Sequence, residues 1–143
     1  MLKKIPKILS PDLLKYLSEM GHSDRLVIAD GNFPVHSIGK NCNIVRLDGH
    51  GVCEILEAIL ELFPLDSYVD KSVFLMEKVE GDNADTSIWD EFTKIVESNS
   101  YDKSIIGNIE RFKFYEEAKE SYLIIATSEK KLYANIILQK GVV

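Results

Sequence analysis

The sequence is poor in the residues that brace a fold covalently or through metal. It has two cysteines, three histidines and one tryptophan among 143 residues. Cys42 and Cys53 form neither a CxxC motif nor a disulfide framework, and the histidines supply no zinc-ligand spacing. That usage points to a reducing, cytoplasmic setting. Long apolar runs are also missing: Tyr122-Leu123-Ile124-Ile125-Ala126 falls far short of the about 20 residues a membrane span needs. The opening MLKKIPKILS carries lysines, but Pro6, Lys7 and Pro11 interrupt any apolar segment, so no export signal is expected. There is no basic stripe interleaved with aromatics, and at a net charge of −6 the chain repels polyanions. Nucleic acid is therefore not an expected partner, whereas a small neutral ligand is compatible. No internal repeat, low-complexity tract or linker divides the chain.

What remains is a globular composition, 45% hydrophobic and 28% charged, long enough for one domain spanning residues 1–143 with a real core. Ser10-Pro11-Asp12 opens a helix: Ser10 caps, Pro11 fits the first helical position and Asp12 complements the dipole, with Gly21 as a stop. Asp24 to Ala29 predicts a strand whose nearly continuous apolar run suits cover on both faces, and Ile44 to Leu47, Val73 to Met76 and Tyr122 to Thr127 predict further strands. Tyr133 to Leu138 predicts a last strand. Between them, Val52, Ile55, Leu56, Ile59, Leu60 and Phe63 follow the helical period, as do Ile88, Trp89, Phe92, Ile95 and Val96 in Ser87 to Ser98. Arg111 to Ser121 reads as a helix with Phe112, Tyr115 and Ala118 inward. The alternation predicts an α/β fold: one three-layer domain, its sheet mostly parallel, with helices on both faces. Ligands of such sheets sit beyond the carboxyl ends of the strands, and Asp30 is at one such end.

Polar residues cluster around the first strand. His22 lies in a Gly-His-Ser turn, where it is either a surface histidine or an acid/base group, since imidazole both gives and takes a proton near neutrality. Asp30 either caps the turn through Gly31, Asn32 and Pro34 or holds a ligand hydroxyl or an imidazolium. Asp48-Gly49-His50-Gly51 precedes a helix whose free amides suit an anion, although it matches no phosphate-loop motif and a plain turn accounts for it. A metal site from His22, Asp30, His36 and His50 lacks diagnostic spacing. Arg111 is a solvated charge or a fork of donors for ligand oxygens. Tyr133 and Asn135, two apart on the last predicted strand, share a face; a phenol beside an amide suits a polyhydroxy ligand, although an ordinary half-buried strand accounts for them by itself.

Together these features carry a resemblance. Gly21-His22, a strand ending in Asp30, Phe33-Pro34-Val35-His36-Ser37, the block from Ile109 to Ala118, Tyr133-Ala134-Asn135 and the terminal Lys140-Gly141-Val142 occur in an order that resembles the L-fucose mutarotase and D-ribose pyranase family. The likeness runs along essentially the whole chain. Leu65-Asp66-Ser67-Tyr68, Val79-Glu80-Gly81-Asp82 and the RFxFYExA block look like its fucose branch. Ala134 departs from it, standing where a glycine is expected in a spelling that resembles the ribose pyranases, with a methyl able to trim the pocket. The resemblance implies an isomerase that interconverts the α and β anomers of a free monosaccharide, L-fucose with D-ribose as the alternative, without cofactor or metal. It implies His22 as the acid/base residue and Asp30, Arg111, Tyr133, Ala134 and Asn135 as sugar contacts. It also implies a homo-oligomer, a decameric ring with pockets near subunit contacts. His36 is left without a role, and a non-catalytic sugar-binding module would need the same contacts but not His22.

Overall fold

The computed structural model describes all 143 residues. Their order is α1 (Pro11–Glu19), β1 (Arg25–Ala29), α2 (Val35–Ile38), β2 (Asn43–Leu47), α3 (Val52–Leu60), β3 (Val73–Met76), α4 (Ile88–Ser98), a 3-10 turn (Lys103–Ile105), β4 (Ile106–Ile109), α5 (Arg111–Lys119), β5 (Leu123–Thr127) and β6 (Ile136–Gln139). The strands form one sheet in the order β2-β5-β1-β6-β3-β4. Pairings β2 with β5, β5 with β1 and β3 with β4 are parallel, whereas β6 lies antiparallel between β1 and β3. This is the mostly parallel α/β sheet the alternation predicts, with a reversed strand at its centre.

Side-chain alternation divides the core into two layers. From β1, Leu26 and Ile28 join a large cluster with Leu13 and Leu17 of α1, Ile55, Leu56 and Ile59 of α3, and Phe92 and Val96 of α4. Val27 and Ala29 face the other way, onto Val35 of α2 and Phe114 and Ala118 of α5. Helices thus cover both faces. The inward side of α5 is set by Phe114, which is fully buried, while Phe112 is exposed, contrary to the sequence expectation. Phe112 sits in the first turn, where the helix leaves the strand ends and has no sheet beneath it.

Local chemistry sets the helix starts. The Ser10 hydroxyl accepts the Leu13 amide at 3.2 Å, and the Glu110 carboxylate accepts those of Phe112 and Lys113, which fixes Arg111 as the first residue of α5. The amides that open α3 are taken as well: Gly51 donates to Glu54 and Val52 to Glu129. Asp48-Gly49-His50-Gly51 is therefore a strand-to-helix turn whose open amides are already filled by carboxylates. No helix is long and apolar enough to cross a membrane.

The last strand starts later than the sequence pattern predicts, at Ile136 rather than Tyr133. Tyr133 has a φ of 54°, a left-handed conformation that a strand does not accept. The Trp89 indole holds it there by donating to the Tyr133 carbonyl at 2.9 Å.

Candidate functional site

Because β6 runs backwards between β1 and β3, the chain enters it at the edge where those two strands end. Ile136 is in register with both Ile28 and Leu75, so Tyr133 to Asn135 arrive beside Asp30 and Met76. An open pocket of about 190 Å³ forms there, lined by Asp30, Asn32, Phe33, Met76, Asp82, Arg111, Tyr115, Leu132, Tyr133 and Asn135. Four of the six expected site residues meet in it: Asp30, Arg111, Tyr133 and Asn135. They do so through a loop and not through strand alternation.

Asp30 and Asn135 form a closed buried pair. The Asp30 amide donates to Asn135 Oδ1 at 2.8 Å, and Asn135 Nδ2 donates back to Asp30 Oδ2 at 3.0 Å. The Asn32 amide reaches Asp30 Oδ1 at 2.9 Å. Burial pushes the Asp30 carboxyl above the usual range against the pull of these donors, the Ala134 amide among them. Arg111 Nε donates to the Tyr115 hydroxyl at 3.1 Å, its guanidinium lying over the Tyr115 ring. The Tyr133 hydroxyl donates to Asp82 Oδ2 at 2.5 Å, and this bond raises the phenol's pKa and lowers that of Asp82. Two aspartates, one guanidinium and two phenols around an aromatic wall offer donors and acceptors at many angles, as a polyol requires.

Ala134 contributes differently from the sequence expectation. Its side chain is fully buried in the large core cluster, so the methyl points away from the pocket and trims nothing. Only its backbone faces Asp30. His36 lies elsewhere, exposed, with Nε2 3.3 Å from Arg46, and so does not orient Asp30. His50 pairs with Glu54 on the surface at 3.1 Å, and Asp24 closes the turn before β1 by accepting the Gly21 amide. No grouping of three or more metal-ligating side chains exists.

His22 is at the opposite end of the sheet. It precedes β1, Asp30 follows it, and the five residues of that strand alone extend about 16 Å. No side chain bridges that span. At its own edge His22 has a partner that sequence reasoning did not assign, Asp66. The His22 Nε2 atom lies 3.1 and 3.2 Å from the two Asp66 oxygens, and its ring packs against Tyr68 at 5.5 Å. The Asp66 side chain is 1% exposed and that of His22 43%. Asp66 also accepts the Tyr68 amide at 3.0 Å and Gln139 Nε2 at 2.9 Å. These bonds, the Tyr68 amide foremost, hold its carboxyl below the usual range. An ionised carboxylate only accepts, so in the neutral ring the facing Nε2 carries the proton and Nδ1 the lone pair. The Leu65-Asp66-Ser67-Tyr68 string was the signal for this partner, but only folding carries it 44 residues to His22.

Comparison with known proteins shows which family the chain belongs to. The L-fucose mutarotase of Haemophilus influenzae (strain 86-028NP) is 44% identical over 142 residues, covering 99% of this chain and 97% of that one. The crystal structure of FucU from Bifidobacterium longum superposes with a TM-score of 0.95 at 60% identity, covering 99% of both chains. That of the fucose mutarotase from Streptococcus pneumoniae in complex with L-fucose gives 0.94 at 49% identity, again over 99% of both. The model of the RbsD / FucU transport protein family matches residues 3–143, and it is to this family that the chain, with a pocket at one end of its sheet and a histidine–carboxylate pair at the other, belongs.

Proposed function

We propose that this protein is a cytoplasmic L-fucose mutarotase, an isomerase that interconverts the α and β anomers of the free sugar without a cofactor. The observation that carries the reading is the His22–Asp66 pair, a histidine of defined tautomer that a sugar-binding module has no need of. The 49% identity to a mutarotase with L-fucose bound supports fucose over ribose. So does the direction of the Ala134 methyl, since this departure from the fucose pattern does not reach the pocket.

The chemistry is proton transfer with orientation. A base takes the proton of the anomeric hydroxyl while an acid protonates the ring oxygen. The C1–ring oxygen bond then opens to the aldehyde, rotation about C1–C2 presents its other face, and reclosure returns both protons. His22 supplies the exchangeable proton at the exposed side of its ring, with Asp66 fixing the tautomer and balancing the imidazolium that forms. Asp30 accepts and Arg111 donates to sugar hydroxyls, Asn135 holds Asp30 in place, and Tyr115 and Tyr133 add an aromatic wall with polar tips. One positioned acid/base group supplies about 10²–10⁴-fold, enough for a reaction that already proceeds in water.

His22 and the pocket lie at opposite sheet edges, so one chain does not close a site on its own. We infer that the working form is a homo-oligomer in which the His22 edge of one protomer covers the pocket of the next. Tyr68, Val69 and Val142 are exposed near one edge, and Val79, Phe112 and Leu132 near the other. Contacts between two different faces repeat head to tail and form a ring where the rotation closes, the arrangement we propose for a decamer. Saturation-transfer NMR on the anomeric protons of L-fucose, D-ribose and galactose tests the activity. Wild type is expected to accelerate exchange of fucose above the others, and His22→Ala to lose about 10²–10⁴-fold. Fucose exchange at the buffer rate with wild type refutes the reading.

A further inference from the structure

Behind the His22–Asp66 pair lies a chain of polar contacts that packing alone does not require. Gln139, the last residue of β6, is 6% exposed and donates from Nε2 to Asp66 Oδ2 at 2.9 Å. Its other amide atom, Oε1, accepts from Arg25 Nε at 2.9 Å. Arg25, the first residue of β1, is in turn held by an ion pair with Glu117 of α5 and by its guanidinium lying 4.9 Å over the Phe74 ring. Elements far apart in sequence thus converge on one buried amide. The antiparallel register that sets Arg25 opposite Gln139 places them.

This arrangement leaves the amide no freedom. Arg25 has only donors, so Gln139 must turn its carbonyl oxygen to Arg25 and its NH₂ to Asp66. Asp66 is presented with a donor, which favours its ionised form, and an ionised Asp66 accepts only, which requires the proton of His22 to sit on Nε2. The backbone adds to this: the Asp66 amide donates to the Gln139 carbonyl at 3.1 Å, so the two residues are tied at both main chain and side chain.

We propose that Gln139, oriented by Arg25, is a positioning residue that, with the Tyr68 amide, holds the Asp66 carboxylate in the ionised form and orientation that face His22 Nε2. The proposal rests on His22 being the acid/base group of the mutarotase reading. Gln139 touches neither the pocket residues nor, through them, the sugar, so its loss acts on turnover and not on substrate capture.

Two variants test this. Gln139→Met keeps the volume but removes the donor to Asp66. Gln139→Glu keeps the shape but sets a second carboxylate against Asp66, so that the two share a proton. Each is assayed by anomeric-exchange NMR for kcat and KM on L-fucose. The His22 ring nitrogens are observed by long-range ¹H–¹⁵N correlation, which distinguishes the Nε2–H from the Nδ1–H tautomer. The expected result is wild type in the Nε2–H form; Gln139→Met, in which the Tyr68 amide still holds Asp66 ionised, keeps that form but with kcat at least about tenfold lower and KM within about twofold, and Gln139→Glu shows a mixture of tautomers with a similar loss. Wild-type kcat in a folded Gln139→Met, the pure wild-type tautomer in Gln139→Glu, or a change confined to KM overturns the proposal. Should Gln139→Met fail to fold, Gln139→Glu alone decides. If wild type shows the tautomer but exchanges no sugar, the mutarotase reading fails, while the tautomer of Gln139→Glu still decides whether Gln139 acts on Asp66.

Discussion

If the site is shared between copies, two inactive variants should repair one another. His22→Ala removes the acid/base group and leaves the pocket whole; its expected loss is about 10²–10⁴-fold. Arg111→Ala removes a charged donor to the sugar and leaves the His22–Asp66 pair whole. Arg111 is exposed and outside both core clusters, so the fold survives its loss. A hydrogen bond to a charged group contributes about 1.5–3 kcal/mol, a loss of about 10- to 150-fold in rate. Separate preparations mixed without subunit exchange therefore average about one twentieth of wild type or less. Co-expressed at equal levels and assembled at random, half the sites take His22 from an intact donor, and half of those face an intact pocket, giving about one quarter of wild-type activity. The assay is anomeric-exchange NMR on doubly tagged, tandem-purified oligomers. Activity that stays at the mean of the two parents refutes the shared site, because in a site built within one chain every chain of the mixture carries a defect. The test is decisive because β1 separates His22 from Asp30 by about 16 Å, against a proton-transfer reach of about 3 Å.

Two further outcomes follow from the geometry. Asn135→Ala should destabilise the protein by about 1–3 kcal/mol in urea unfolding, because it leaves the buried Asp30 amide and one carboxylate oxygen unpartnered, and it should raise KM for fucose; unchanged stability would mean that the pair is dispensable. Acid unfolding tests Asp66: its folded pKa lies below the ordinary 3.8, so the ionised group contributes stability that is full above that value and lost as pH falls through the lower folded one. Asp66→Ala should therefore be less stable than wild type at neutral pH and converge on it at the acid end, and a constant difference across the range would refute the role of the ionised form.

Most elements were legible in the sequence because each is written in a local period. Leu13 and Leu17, Ile55 to Ile59, and the apolar runs of β1 and β5 state their helices and strands without reference to anything distant. Phe112 and Phe114 show where that fails: two apart, they lie on opposite sides of a helix, and only the position of the sheet beneath α5 decides that Phe114 is buried and Phe112 is not. Tyr133 shows it again, since a β-like run was overruled by one hydrogen bond from Trp89, 44 residues earlier. The direction of the Ala134 methyl followed from the same turn.

The sequence by itself determined the fold class, the lack of a CxxC or zinc-ligand spacing, and, through ordered motifs, the residues proposed for the site: His22, Asp30, Arg111, Tyr133 and Asn135. These are statements about residue types and short spacings, which a linear string contains. Tertiary structure alone decided how they are grouped. One reversed strand, β6, carries Asn135 to Asp30 at one edge and Gln139 to Asp66 and His22 at the other. Strand direction depends on which partners a strand pairs with across the whole sheet, and no local period records it.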